Sequence, residues 1–279
     1  MTPAPGFVTV RQGAVPLILS LPHTGTELDP AIEARLASRW LAVKDTDWWV
    51  DRLYDFAEAF DATIVRTAVS RTVIDVNRDP SGVSLYPGQA TTGLVPVETF
   101  DGEALYRAGE EPAGAEIDER RTRYFEPYHE VLSAEIARLR RRHRGIVLYD
   151  CHSIRSDIPR LFEGTLPNFN IGTNGGASCD ARLSDAIASV CAVSPYSVVV
   201  DGRFKGGWIT RHYGRPSDGV HAVQMELACR GYMDEPGRPT PDNWPRPYDD
   251  ARAAPMRAVL GDVLRTCLAF TGEAPSAVR

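Results

Sequence analysis

Cysteine is scarce in this chain: five occur in 279 residues, at positions 151, 179, 191, 229 and 267, and no two form a CxxC pair. A scattered, odd-numbered set argues against a disulfide framework and a cysteine-rich zinc site, and it fits a reducing compartment. Long apolar runs are missing too, with none near the roughly 20 residues that span a bilayer. The opening stretch MTPAPGFVTVRQG has neither the basic nor the apolar region of a signal peptide, so the expectation is a cytoplasmic protein with no membrane partner. Excess positive charge is also absent. Lys and Arg number 31 against 37 Asp and Glu, for a net charge of −6, which argues against nucleic acid as a partner. A small anionic substrate stays open, because a few arginines in a pocket outweigh the global balance locally.

There is no repeat of fixed period and no low-complexity tract. Hydrophobic residues make up 43% and charged residues 24%, ordinary values for a globular chain of a length that can bury a sizeable core. A single domain over 1–279 is expected.

Apolar runs and periodicity outline the elements. VPLILSLPH (15–23) reads as a buried strand entering a turn. DTDWWVDRLYDFAEAF (45–60) reads as a helix, with Val50, Leu53, Ala57 and Phe60 on one face and Asp47 in its first turn. ATIVRT (62–67) and TVIDV (72–76) are strand-like and could be neighbours. Residues 79–118 carry Pro80, Gly82, Pro87, Gly88, Gly93, Pro96 and further breakers, and a loop of that length suits a lid or binding loop. A long helix is expected over 120–145, with Tyr124, Tyr128, Leu132, Ile136 and Leu139 on one face and Gly145 as its stop. A strand at 146–150, a helix at 180–192, strands at 196–202 and 219–227, and a helix near 250–270 follow. Alternating strands and helices predict an α/β domain in three layers, α/β/α, with a mixed, largely parallel central sheet. In such sheets ligands collect at the carboxyl ends of the strands.

Polar clusters fall at those ends: His23 in LPHTG, His152 in YDCHS, and Asp75, Asn77 and Arg78 in DVNRDP. Two histidines with Asp45 or Asp47 make a His-carboxylate-His set that suits a zinc ion with one open position. Each histidine could equally hydrogen-bond a turn, since the spacing matches no compact motif. Cys151 beside His152 suggests a thiol nucleophile with its base. Neighbours on an extended chain point to opposite sides, however, so Cys151 reads as a buried packing residue. His129 and His143, on the long helix, read as packing or surface residues. Glu226 is a carboxylate in an apolar alternating segment, VHAVQMEL. It is either paired, for example with Arg230, or a general base. Arg71, Arg78 and Arg211 are candidates for a substrate carboxylate, with Asn77 as an added donor. The glycines of KGGWITRHYG would allow a ligand close to the backbone. NIGTNGGAS lacks the phosphate-loop pattern, which excludes that nucleotide site.

Six blocks, LPHTG, DTDWWVDRLY, SRTVIDVNRDPSG, YDCHSIRS, GGWITRHYG and VQMEL, stand in an order that resembles the N-formylglutamate amidohydrolase (N-formylglutamate deformylase) family from about residue 15 to 232. The resemblance implies a phosphorylase/hydrolase-like fold related to the zinc carboxypeptidases and aspartoacylases. It also implies zinc-dependent hydrolysis of N-formyl-L-glutamate in histidine degradation. By the same resemblance His23, Asp47 and His152 hold the metal, Glu226 is the base, and Arg71, Asn77, Arg78 and Arg211 meet the anionic substrate. The H-x-x-E spacing of the carboxypeptidases is absent, which leaves Asp45 and Glu27 as alternative carboxylates. Hydrolysis of another N-acyl amino acid or a short peptide, with the 79–118 loop setting the choice, is a second reading. A non-catalytic small-molecule binder on the same scaffold is a third.

Overall fold

The computed structural model describes residues 6–85 and 88–272, so Pro87 and both ends of the 1–279 span lie outside the described residues. Seven strands, β1 (Val8–Arg11), β2 (Leu17–Leu21), β3 (Thr63–Thr67), β4 (Ile146–Ile154), β5 (Phe169–Gly172), β6 (Val198–Val200) and β7 (Val220–Ala228), form one sheet in the order β1-β3-β2-β4-β7-β5-β6. The inner pairs β3·β2, β2·β4 and β4·β7 are parallel, as is β5·β6, while β1·β3 and β5·β7 run antiparallel. The helices are α1 (Pro30–Glu33), α2 (Arg39–Lys44), α3 (Val50–Leu53), α4 (Gly114–Arg120), α5 (Glu126–Arg140), α6 (Ala181–Ala192), α7 (Trp208–Tyr213) and α8 (Asp250–Phe270).

Alternation along the central strands sorts residues to two cores, because successive side chains on a strand face opposite ways. Leu17, Leu19 and Leu21 of β2, Val147, Tyr149 and Cys151 of β4, and Val223, Met225 and Leu227 of β7 join one cluster with α3, α6 and α8. Ile18, Ile146, Leu148, Val220 and Ala222 join the other, with α5 and α7. The result is the three-layer α/β arrangement with a mixed sheet. Near the carboxyl ends, the second face turns polar at Ser20, Asp150, His152, Gln224 and Glu226, and all five are buried.

Several local expectations change. Residues 72–76 form turns, not a strand. The place beside β3 that they would need is taken by β1, an edge strand that the sequence reading missed. Val73, Ile74 and Val76 are still buried, and Asp75 N donates to Leu94 O at 2.8 Å. The 45–60 helix is broken: Trp49 sits at φ +65°, and only α3 and a 3-10 turn over Asp55–Phe60 are helical. Its apolar face nonetheless packs as the periodicity required. Asp47 is therefore in a loop, where its N–H donates to His23 O at 3.0 Å, and not in a first helical turn. The long helix starts earlier, as α4, widens into a π turn at Arg121–Phe125, and ends at Arg140, short of Gly145. The irregular loop accordingly stops at 113, not 118. β4 continues four residues beyond 150, so His152 lies within a strand and not after one. Asn170 to Gly172 of the rejected phosphate loop belong to β5.

Candidate functional site

β2 and β4 are paired only as far as Ser20 and Asp150. β2 ends at Leu21 while β4 runs to Ile154, and β7 follows β4 in register, with His152 opposite Glu226. The stagger lets the turn after β2 place His23 beside His152, with ring centroids 4.8 Å apart. The 44–49 loop delivers Asp47 to the same point. Its Oδ2 lies 3.0 Å from His152 Nδ1 and 3.7 Å from His23 Nδ1.

The other ring nitrogen of each histidine meets a carboxylate. His23 Nε2 lies 2.7 Å from Asp75 Oδ1, and His152 Nε2 lies 2.9 Å from Asp150 Oδ2. A carboxylate that accepts a hydrogen bond from Nε2–H fixes the ring and directs the Nδ1 lone pair inward, as it does behind metal-bound histidines. Asp150 is held by Ser20 Oγ at 2.8 Å and Asn77 Nδ2 at 3.1 Å, and Asn77 Oδ1 accepts from Ile209 N at 2.8 Å. Asp75 Oδ2 accepts from Arg71 Nη2 at 2.6 Å, and Arg78 Nη2 stands 3.6 Å away.

These contacts fit a cation. His23, Asp47 and His152 offer ligand atoms within 4.8 Å of one another. His23 Nδ1 and Asp47 Oδ1 are buried and make no hydrogen bond, a costly arrangement unless something binds them. A tetrahedral ion with zinc-like bonds spaces its ligands by about 3.4 Å, between the two distances from Asp47 Oδ2. Charges conform as well. Burial alone would raise the Asp47 carboxyl, but the hydrogen bond from His152 and the nearby His23 ring hold it far below the usual range. Burial would lower His152, but Asp150 and Asp47 overcome it and raise the imidazole well above its ordinary value. The same contest leaves Asp75 ionised: Arg78, His23 and Arg71 outweigh its burial.

The alternative carboxylates lie elsewhere. Asp45 Oδ2 accepts from Phe100 N at 2.6 Å, and its Oδ1 lies 3.6 Å from Arg155. Glu27 is exposed, with its backbone bridged to Val69.

Beside the cluster is a cavity whose walls include His23, His152, Glu226, Arg71, Asn77 and Arg78. Glu226 makes no ion pair with Arg230, which donates to Asn168. Its Oε2 accepts from Gln224 Nε2 at 3.2 Å, and burial, reinforced by Asp47 against the pull of His152, pushes its carboxyl up to about 8. The loop over 79–113 supplies Ala90, Thr91, Thr92 and Phe100 to the wall, and the Arg71 guanidinium lies 4.8 Å from the Phe100 ring centre. Arg211 is not part of this wall; its Nε donates to Gly206 O at 2.9 Å. The backbone of Gly207 approaches Asn77, since a Cβ there would fall 2.4 Å from Asn77 Nδ2. Cys151 faces the opposite core, with burial raising its thiol. His129 is a packing residue, bonded to Val76 O at 2.8 Å.

Sequence reasoning missed Gln224 and Arg203 in the wall, and the Asp75–His23 pair. The alternation that singled out Glu226 also placed Gln224 on its face and could have found it. Nothing in sequence links Asp75 to His23, because their meeting depends on the turn at 71–78.

Comparison with known proteins bears on this site. A family model described as N-formylglutamate amidohydrolase matches residues 15–233. The chain is 46% identical over 267 residues to an N-formylglutamate deformylase of Pseudomonas aeruginosa, covering 95% of this chain and 97% of that one. It is 45% identical over 271 residues to the deformylase of Pseudomonas putida, with the same shares covered. Among solved structures, N-formylglutamate amidohydrolase from Ralstonia eutropha JMP134 superposes with a TM-score of 0.77 at 21% identity, over 95% of this chain and 98% of that one. A gene product of Agrobacterium tumefaciens gives 0.69 at 20% identity, over 95% and 96%. These two likenesses concern the fold.

Proposed function

The chain belongs to the N-formylglutamate amidohydrolase family, and on that premise we propose that it hydrolyses N-formyl-L-glutamate to formate and L-glutamate with one divalent metal, zinc by preference. The observation that carries this reading is the buried His23–Asp47–His152 cluster set in one cavity with Glu226 and the guanidinium groups of Arg71 and Arg78. An ion held by the three side chains would supply Lewis acidity, polarising an acyl carbonyl and lowering the pKa of a water.

The remaining chemistry falls to the chain. Glu226 takes a proton from the water that attacks the formyl carbon. It returns that proton to the amine nitrogen as the C–N bond breaks. A carboxyl raised towards neutrality suits both steps, since it is neither a permanent anion nor a permanent acid. Arg71 and Arg78 hold a substrate carboxylate through charge-assisted bonds. Asn77 enters the same wall and steadies Asp150 behind His152. Asp75 and Asp150 fix the ring orientation of the two histidines. The reading extends to a cytoplasmic enzyme of histidine degradation. Five free, buried cysteines are compatible with a reducing compartment, and among the described residues no helix is long and apolar enough to cross a membrane.

The decisive experiment is formate release from N-formyl-L-glutamate, with and without chelator, by wild type and Glu226→Gln. Turnover that is lost on chelation and restored by zinc is expected, with the Gln variant inactive but still binding metal. Full activity in the chelated protein would defeat the metal assignment, and full activity in Glu226→Gln would defeat the base.

A further inference from the structure

Asp47 is followed in sequence by Trp48, and His152 by Ser153. Both of these following residues meet one hydroxyl. The Tyr232 O–H donates to Trp48 O at 2.8 Å, and its oxygen lies 2.9 Å from Ser153 Oγ. Tyr232 is fully buried and belongs to the core on the opposite face of the sheet from His152. A single 3-10 turn at Cys229–Gly231, directly after β7, brings it there. Alternation along β4 turns Ser153 to that same side. The hydroxyl therefore joins the backbone of the 44–49 loop to β4 from behind, and it stands outside the cavity wall.

The bond to Trp48 falls where the backbone is strained. Trp49 has φ +65°, a left-handed conformation that bulky side chains rarely take. Such strain persists only where the surroundings hold it in place. The carbonyl that Tyr232 binds belongs to the Trp48–Trp49 peptide, so the hydroxyl fixes the plane that sets this φ. Two further bonds hold the same loop: Trp49 Nε1 donates to Arg246 O and Trp244 Nε1 to Lys44 O, both at 2.8 Å. Side chains and backbone of the 232–246 segment thus grip the loop on both sides of Asp47. Without the anchor on Trp48, the peptide is free to rotate towards a relaxed φ and to carry Asp47 away from His152. A ligand set held in place before an ion arrives loses little further freedom on binding it.

We propose that Tyr232 is a positioning residue that acts through the Trp48 carbonyl to hold Asp47 against His152, and so presets the metal site. The inference rests on the metal reading given above. Tyr232→Phe deletes the hydroxyl and keeps the ring. It is expected to weaken zinc by about 10- to 100-fold, the loss typical of removing a group behind a metal ligand. Ser153→Ala removes a hydroxyl from the same contact but leaves the bond to Trp48 O, and zinc affinity should stay within about threefold. Competition titration with a chromophoric chelator measures both. Losses of equal size in the two variants would reduce Tyr232 to general packing, and unchanged affinity in Tyr232→Phe would also overturn the assignment.

Amide hydrogen exchange on the metal-free protein separates this inference from the metal reading. The Asp47 N–H, which donates to His23 O, should exchange at least about tenfold faster in Tyr232→Phe, measured against the amides of β2. In the wild type, before any zinc is added, that N–H should be protected at least about 100-fold over an exposed amide. This second reading stands even if the variant does not fold, and protection that arises only with zinc would overturn the presetting. If the wild type binds no zinc but the Asp47 exchange responds to the variant, the metal reading fails and the positioning role stands. An unresponsive Asp47 in a folded variant overturns the role whatever the metal.

Discussion

Nε2 of His23 and Oδ1 of Asp75 lie 2.7 Å apart in the buried interior. The second oxygen of Asp75 binds Arg71, so one carboxylate links the His23–Asp47–His152 cluster to an arginine of the cavity wall. Asp150, behind His152, is held by the neutral donors Ser20 and Asn77. Asp75→Asn and Asp150→Asn should each weaken zinc by about 10- to 100-fold, the usual cost of losing a carboxylate behind a ligating histidine. Only Asp75→Asn should also raise KM, because it releases Arg71. Competition titration with a chromophoric chelator and steady-state kinetics check the pair. Equal effects on KM would break the distinction.

Cys151 neighbours His152 in sequence but belongs to the opposite core. Cys151→Ala should leave kcat/KM within about twofold, at a cost to stability of about 1 kcal/mol. Loss of activity in a variant with a near-normal melting temperature would restore the thiol to the chemistry.

Burial moves Glu226 from 4.5 to about 8 in the metal-free protein. Between those values the folded state holds a proton that the unfolded chain has released. The group's contribution to stability is therefore complete below the lower value and lost as pH rises through the upper one. Glu226→Gln removes this titration. In metal-stripped protein the melting temperature of the variant should gain on wild type as pH rises, by about 4 °C or more between pH 5 and pH 9. A gain that shrinks with pH would refute the buried carboxyl.

Gly207 leaves no space for a side chain: its Cβ would meet the amide of Asn77 within 2.5 Å. Gly207→Ala should displace Asn77, loosen Asp150 and destabilise the fold by about 1–3 kcal/mol, as overpacking does. Zinc affinity should fall with it. Chemical denaturation and metal titration give the two readings, and unchanged values in both would show that the contact can relax.

The central layers of the fold were legible because burial imposes a period. Alternation in VHAVQMEL assigned each side chain of β7 to its face, and the spacing in 180–192 and 250–270 located α6 and α8. TVIDV satisfied the same rule and is no strand. Apolar residues can be buried from a turn as well as from a ladder, and β1 already holds the edge of β3. The 45–60 segment kept its apolar face although Trp49 interrupts the helix.

By itself the sequence determined which residues could do chemistry: two histidines, an Asn-Arg pair after a short apolar stretch, and a carboxylate within an apolar strand. Those follow from composition and periodicity, which are local. Tertiary structure alone decided which carboxylate joins the histidines, that Asp75 stands behind His23, and that Arg203 rather than Arg211 enters the cavity wall. The reason is physical. Asp45 and Asp47 are chemically alike and two residues apart, and only the path of the loop after α2, set against the stagger of β2 and β4, turns one towards His152 and the other towards Phe100.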